Sequence, residues 1–295
     1  MKKRGMITCR SLSATDSLSL YECFLEAFSD YQVDMRMSQP QFEQRIARDG
    51  VKLETSYAAF DDNRMVAFYM NATGRWQGKQ TAYDAGTGVI PAYRRQGIGK
   101  ELFAFMVPRL KEAGFSQYLL EVLTGNESAV ALYRKLGFVE TRRFAVFRRK
   151  EPLAMRDELD GVSIHAVVRP SWRLFESFWD GYPSWQNSID AVERVAADAV
   201  VLGAYVNEEC VGYGVAFRPA SSLMQLAVAP GYRRKGIGSR ILSALQREVS
   251  ESLKVNNIDE ELQAMLQFFE ANGFMMVLEQ YEMGQALQDE TGFTG

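Results

Sequence analysis

Two arginines followed by two spaced glycines occur twice in this chain, in the same setting. The first copy reads Val89-Ile90-Pro91-Ala92-Tyr93-Arg94-Arg95-Gln96-Gly97-Ile98-Gly99, and the second Val228-Ala229-Pro230-Gly231-Tyr232-Arg233-Arg234-Lys235-Gly236-Ile237-Gly238. Eight of the eleven positions are identical, at a constant offset of 139 residues. A period that long suits a duplicated domain rather than a solenoid, whose repeats run about 20–50 residues. In each copy an apolar strand comes first, and proline ends its ladder because proline has no N–H to donate. A helix follows the glycines. Glycine lets backbone N–H groups face a ligand without a Cβ in the way, and the first helical turn offers free N–H groups and the positive end of the helix dipole. Such a loop holds phosphate or diphosphate, and the arginines add charged donors.

Other phosphate motifs fit less well. A Walker loop needs lysine after its second glycine; Gly231 and Gly236 have the right gap, but Ile237 follows. A dinucleotide fingerprint needs three glycines, and two are present. Arg-x-x-Gly-x-Gly after Val-x-Pro, at a strand-to-helix junction, resembles the acyl-CoA-binding motif of the GNAT superfamily of N-acyltransferases. Two copies at equivalent places argue against coincidence.

The resemblance implies acetyl-CoA as cosubstrate, no metal, and transfer of the acetyl group to an amine by direct attack. It implies that the strand before the loop splays from its neighbour and receives pantetheine along Thr87, Gly88 and Val89. Arg94, Arg95, Gln96, Gly97, Ile98, Gly99 and Lys100 would then cradle the diphosphate. The counterparts in the second copy are Leu226, Ala227, Val228, Arg233, Arg234, Lys235, Gly236, Ile237, Gly238 and Ser239. The family's second signature is an Asn, a helix carrying a Tyr, and then Gly-Phe; Asn126, Tyr133 and Gly137-Phe138 match it. In that reading Asn126 contacts pantetheine or backbone, and Tyr133 is the acid that protonates the CoA sulfur. Taken alone, Tyr133 also reads as a core aromatic. The second half has Phe269 four residues before Gly273, with no proton to give, and its nearest asparagines, Asn256 and Asn257, lie too far upstream. The N-terminal half is therefore the one expected to catalyse.

Asp84, in the strand before the first loop, is the candidate base; a solvated carboxylate is its plainer reading, and Glu121 or a water relay are alternatives. His165 is the only histidine and reads as structural, which disfavours Ser-His-Asp or Cys-His nucleophiles. Aromatic residues are dense at Trp172, Phe175, Phe178, Trp179, Tyr182 and Trp185, and at Tyr21, Phe24, Phe28 and Tyr31. These read mostly as core, with a subset available to line an acceptor site.

The elements that would position these groups follow the order β-α-α-β-β-β-α-β-α-β over residues 6–150. Strands are expected at 6–10, 57–60, 65–71, 81–90, 118–123 and 144–147, with helices at 16–29, 40–49, from the first loop to about 113, and after residue 125. The second half repeats the scheme from a strand at 162–168, through helices at 171–178 and 189–197 and a hairpin at 200–217, to its own loop and helix, a helix at 262–270 and a strand at 275–281. The fold class is α/β (α+β): two tandem GNAT-like domains, each a mixed, mostly antiparallel sheet flanked by helices. We place an N-terminal GNAT-like acetyltransferase domain at 1–150, a linker at 151–160 and a C-terminal GNAT-like domain at 161–295.

Length and composition agree with this division. The 295 residues suit about two domains. A hydrophobic content of 47%, 24% charged residues and a net charge of −3 are those of an ordinary globular protein with no nucleic-acid signature. Three cysteines without CxxC spacing suggest neither a disulfide framework nor a zinc site. No signal peptide or membrane span is evident, so a cytoplasmic protein with a small-molecule or protein amine as partner is expected, with a homodimer left open. The competing function class is a non-catalytic acyl-CoA-binding regulator.

Overall fold

The computed structural model describes residues 6–31, 34–149, 151, 161–249 and 252–288. The 151–160 linker and the polar C-terminal tail fall almost wholly outside these residues. The chain forms two compact units. One comprises Met1–Glu121, Tyr133–Val139 and Met283–Gly295; the other comprises Val122–Leu132 and Glu140–Glu282.

In the first unit, strand β1 (Ile7–Ser11) precedes helices α1 (Ser17–Ala27) and α2 (Gln39–Asp49), then strands β2 (Tyr57–Asp61), β3 (Arg64–Trp76) and β4 (Lys79–Val89), helix α3 (Ile98–Glu112) and strand β5 (Gln117–Leu123). Ser13 and Asp16 form a capping box before α1, and Ser38 and Gln41 form one at α2, each satisfying otherwise orphaned helical N–H groups. The strands pair in the order β1-β2-β3-β4-β5, antiparallel except for β4 with β5. That parallel ladder is short: it joins only residues 81–84 of β4 to 117–120 of β5. Past Asp84 the two strands part.

The antiparallel ladder between β3 and β4 shifts register where Met70 and Asn71 face Gly86 and Asp84. Ala85 is the extra residue, which makes this a β-bulge. Gly88 packs where no side chain would fit: a Cβ there would lie 2.7 Å from the Phe68 ring and 2.8 Å from the Ala27 Cβ. This glycine allows α1 to lie directly on β4.

The helix α4 (Glu127–Lys135) follows β5 and is capped by Asn126. It ends at Gly137 (φ +92°), where the Phe138 and Gly137 N–H groups return to the carbonyls of Tyr133 and Arg134. This is the two-bond glycine cap of a helix C-terminus.

The second unit takes in the strand β6 (Val139–Arg148) from residue 140 onward, together with β7 (Ser163–Ala166), helices α5 (Trp172–Glu176) and α6 (Ile189–Arg194), β8 (Ala199–Val206), β9 (Glu209–Phe217), β10 (Ser222–Val228), α7 (Ile237–Gln246), β11 (Lys254–Asp259), α8 (Gln263–Ala271) and most of β12 (Met275–Ala286). Its sheet runs β6-β11-β10-β9-β8-β7. Within that order β10 and β11 pair parallel, over two residue pairs, and the other ladders are antiparallel. β10 also carries a bulge, between Leu223 and Gln225. The extra residue, Met224, stands 139 positions after Ala85.

Three features differ from the sequence-based expectation. The first repeat's last strand, β6, pairs antiparallel with β11, with Phe147 opposite Val255 and Phe144 opposite Asp259. Ala145 and Phe147 are buried in the second unit's core with Val255, Leu245 and Phe269. Its apolar run finds its ladder and its core there, rather than with the elements that precede it in the chain. β11 itself was not anticipated, because Asn256 and Asn257 interrupt its apolar pattern. The ladder absorbs them as an irregularity between Val255 and Ile258, with Asn257 at φ +59°. The α5 and α6 helices are shorter than expected, and β3, β6 and β12 are longer.

Gly88→Ala should destabilise the first unit by about 1–3 kcal/mol, because the Ala27 Cβ is fixed to backbone and cannot move aside. Urea unfolding would measure this. An unchanged midpoint would mean that α1 does not rest on β4 as described.

Candidate active site

The first loop turns because two residues adopt left-handed backbone. Arg95 has φ +61° and Gly97 +84°; in the second loop Arg234 has φ +62° and Gly236 +83°. The first hydrogen bond of α3 runs from the Glu101 N–H to the Gly97 carbonyl at 2.9 Å, and that of α7 from the Arg240 N–H to Gly236 at 3.0 Å. By helix geometry the N–H groups of Ile98, Gly99 and Lys100, and of Ile237, Gly238 and Ser239, have no intrahelical partner. Each loop is thus a concave set of donors at a helix N-terminus, which fits a diphosphate. Arg95, Lys100, Arg234 and Lys235 are exposed at its rim.

Arg94 and Arg233 have a different use. Arg94 donates from Nε to the Val89 carbonyl (3.1 Å), from Nη1 to Asp30 (2.6 Å) and from Nη2 to the Ala27 carbonyl (2.7 Å). Arg233 repeats the pattern with Val228 (2.9 Å), Asp180 (2.9 Å) and Phe178 (2.9 Å). Each guanidinium ties the end of the strand to the segment before it. Gln96 and Lys235, though exposed, donate to the Ala92 and Gly231 carbonyls of their own loops.

The strand edge is selective. The Ile90 N–H bonds Val66 on β3, and the Ala229 N–H bonds Val211 on β9. By antiparallel alternation, Gly88 and Ala227 also face their ladders. Thr87 and Val89, and Leu226 and Val228, turn toward the open side. Of the three positions expected to meet pantetheine in each half, the outer two are available to do so.

At the bottom of the first opening lies Asp84, 8% exposed. The bulge brings the Gly86 N–H to within 2.9 Å of its Oδ1, and the Thr87 hydroxyl to within 2.5 Å of its Oδ2. Burial pushes the carboxyl up from 3.8 to about 6, against the opposing pull of Thr87, the Gly86 amide and the Tyr133 hydroxyl. Tyr133 therefore belongs to this group. Burial and the Asp84 charge hold its phenol well above its ordinary value. Its ring stands edge-on to Phe138 at 5.5 Å. Tyr31, after α1, also acts on Tyr133; the sequence had marked it only as one of several aromatics. Glu121 acts instead on Arg48 of α2. Asn126 uses its side-chain oxygen to cap α4, accepting from the Ala129 N–H (3.2 Å) and the Ser128 hydroxyl (3.1 Å). His165 is exposed on β7, its ring 5.6 Å from Tyr205.

Comparison with known proteins now bears on this geometry. Residues 18–138 match the acetyltransferase (GNAT) family, and residues 197–276 match an acetyltransferase (GNAT) domain. Together these matches span more than half of the chain. The protein belongs to the GNAT acetyltransferase family. A 94-residue stretch, 30% of this chain, is 32% identical to the [ribosomal protein bS18]-alanine N-acetyltransferase of Escherichia coli strain K12 and covers 64% of that protein. A 116-residue stretch, 38% of the chain, is 32% identical to the mycothiol acetyltransferase of Paenarthrobacter aurescens strain TC1 and covers 36% of it. Over its whole length the fold is similar to a tandem GNAT protein from the clavulanic acid biosynthesis pathway (TM-score 0.73, 16% identity, 97% of this chain and 100% of the other). It is likewise similar to a GCN5-related N-acetyltransferase from Sphaerobacter thermophilus (TM-score 0.74, 14% identity, 96% of each chain).

The second GNAT unit keeps the scaffold and changes the reactive groups. Leu223 takes the place of Asp84 beside the bulge. Phe269 takes that of Tyr133: it is fully buried, it precedes the same glycine cap (Gly273, φ +77°), and its ring meets Phe274 at 5.5 Å. The residue before α8, where Asn126 stands before α4, is Leu262. Beside this second cradle is a cavity of about 940 Å3 whose lining includes Trp179, Tyr213, Gln225 and Asn257. Four of its lining residues form one hydrogen-bonded chain. The Trp179 indole donates to the Tyr213 hydroxyl (2.6 Å), which donates to Gln225 (2.8 Å), whose amide donates to the Asn187 carbonyl (2.7 Å).

A carboxyl raised to about 6 in the folded state binds protons that the unfolded chain releases near 3.8. Asp84 therefore lowers stability as pH rises from about 4 to about 6, and the cost is fully present above that range. NMR titration of the Asp84 carboxyl carbon should give a midpoint near 6, and a midpoint near 4 would contradict the buried setting described here.

Proposed function

We propose that the protein transfers an acetyl group from acetyl-CoA to a primary amine, with the chemistry in the first unit. The observation that carries this reading is the meeting of Asp84 and Tyr133 beside the open edge of β4. Their environments push one group toward neutrality and the other far above it, so that one accepts a proton and the other holds one. In this reading Asp84 removes a proton from the incoming ammonium group. The freed amine attacks the thioester carbonyl carbon. Negative charge grows on the carbonyl oxygen, next to the outward-facing main-chain N–H groups of Thr87 and Val89. The C–S bond then breaks, the thiolate takes the Tyr133 hydroxyl proton, and the nitrogen, cationic after its attack, gives up its second proton, which restores the phenol. The loop of residues 95–100 holds the diphosphate, so that most of the binding energy serves positioning.

The second cradle, residues 234–239, fits the same diphosphate, but leucine and phenylalanine stand where the first unit has Asp84 and Tyr133. We assign that unit to binding rather than turnover. For the acceptor, the likeness to a ribosomal-protein alanine N-acetyltransferase supports a protein α-amine, and that to a mycothiol acetyltransferase supports a small-molecule amine as the second reading. The test is thiol release, with mass spectrometry, from acetyl-CoA and three acceptor sets: peptides with free N-termini, lysine peptides blocked at the N-terminus, and small polyamines and aminothiols. Saturable CoA binding with no turnover on any set would replace this reading with a non-catalytic acyl-CoA-binding protein.

Tyr133→Phe should lower kcat about 100-fold or more, with a smaller change in the KM for acetyl-CoA, since a general acid contributes on the order of 10²–10⁴. An unchanged kcat would remove Tyr133 from the reaction. Gly99→Ala tests the cradle. Its Cβ would meet only Val89, at an ordinary 3.5 Å, and alanine favours a helical first turn. Stability should hold while acetyl-CoA binding by calorimetry weakens at least about 10-fold, the free N–H face of residues 98–100 being partly covered. Undiminished affinity would place the diphosphate elsewhere.

A further inference from the structure

The bulge at Ala85 sets the direction of Asp84, and a bulged residue leaves the ladder with main-chain groups unpaired. Ala85 is buried, where an unpaired carbonyl is costly. The partner comes from α2: Arg45 Nη2 donates to the Ala85 carbonyl at 3.4 Å. The Arg45 side chain is three-quarters buried, with its Nε 3.8 Å from Asp49, which is itself almost fully buried. Its guanidinium carbon lies 5.3 Å from the centre of the Phe24 ring. Asp49 also pairs with Arg48 at 2.8 Å. The helix thus presents a fixed cation to one carbonyl of β4. On the other side of the bulge, Asn71 is also held, bonding the Tyr118 hydroxyl at 2.6 Å and the Thr55 carbonyl at 2.6 Å.

From this geometry we infer that Arg45 is a positioning residue: by holding the Ala85 carbonyl it keeps the Gly86 N–H and the Thr87 hydroxyl on the Asp84 carboxylate. It touches no reacting atom. The catalytic consequence rests on the reading of Asp84 as the base, but the structural claim does not. The titratable groups around Asp84 are Tyr133 from α4, Tyr69 from β3 and Tyr118 from β5. Burial raises all three phenols, so they stay neutral through the range in which Asp84 titrates. Arg45, Arg48 and Asp49 lie on α2, with Glu121 of β5 acting on Arg48.

If Arg45 lets go, the two donors that favour the charged carboxylate loosen while its burial remains. The Asp84 midpoint then rises. The test is NMR titration of the Asp84 carboxyl carbon in the full-length wild type, Arg45→Met and Arg45→Lys. Arg45→Met should move the midpoint up from about 6 by roughly half a unit or more, the size expected when one of several hydrogen bonds to a carboxylate is lost. Lysine, which can still give one donor to the Ala85 carbonyl, should return it most of the way. Turnover at fixed pH 7 should fall with the rising midpoint, at an unchanged KM for acetyl-CoA. A midpoint that stays put in Arg45→Met while thermal stability drops would overturn the inference and leave Arg45 as a packing residue. A midpoint that moves while turnover does not follow would keep the positioning claim and sink the assignment of Asp84 as the base. Should Arg45→Met fail to fold, the Arg45→Lys and wild-type titrations still decide, since a positioning role requires at least a small upward shift with lysine.

Discussion

A strand that leaves one neighbour while staying bound to the other is the constraint on which this molecule depends. β4 keeps its ladder with β3 to its end, yet its pairing with β5 stops at Asp84. Past that point one edge of the strand carries unpaired main-chain groups, which in a sheet interior would be a liability. Here they become a place where an extended ligand can add. The other features serve the parting of the strands. The bulge turns the strand, Gly88 lets α1 close over its far face, and the Arg94 clasp fixes the end of the strand before the loop begins. The cradle can receive a diphosphate because these contacts determine where its first N–H groups point.

The second repeat separates the parts of this arrangement that belong to the fold from those that belong to chemistry. Bulge, clasp, left-handed arginine, left-handed glycine, helix start and glycine cap all recur. Each has a backbone reason that holds with or without a ligand, since a positive φ needs a tolerant residue and a parted strand end needs an anchor. What does not recur is a set of side chains: Leu223, Phe269 and Leu262 stand where the first repeat has Asp84, Tyr133 and Asn126. A retained cradle is therefore compatible with binding alone, and under the proposed mechanism the Asp84–Tyr133 pair is what suits the first unit to turnover.

Much of this could be read from the chain alone. The loops, the strand-helix order and the Tyr133-Gly137-Phe138 signature are carried by contiguous residues whose types have local physical meanings. The clasp could not be read that way. Arg94 meets Asp30 across 64 positions, and the residue type that suits a phosphate also suits a carboxylate and two carbonyls. A signal was present, since Asp30 and Asp180 follow their helices at nearly the same spacing in both repeats. The home of β6 was also hidden, because ladder choice among equally apolar strands is a nonlocal matter of register. β11 was missed for a local reason: two asparagines broke a pattern that the folded strand tolerates by leaving the ladder around them.

The setting of Asp84 shows why a site of this kind has to be buried and braced together. A carboxylate in water is a weak base at neutral pH; pushed to about 6 it is well placed for one. Burial alone would push further and leave the group protonated when it is needed. The Gly86 amide, the Thr87 hydroxyl and Tyr133 pull back, and the first two of these donors exist only because the bulge puts consecutive main-chain and side-chain groups on one side of the strand. The basicity of the site is thus raised by burial and trimmed by donors that a backbone irregularity supplies, rather than set by a neighbouring charge. A bulge is soft unless its unpaired carbonyl is held, and here a cation from another helix holds it. In the second unit leucine stands at that position, so its bulge has no carboxylate to tune.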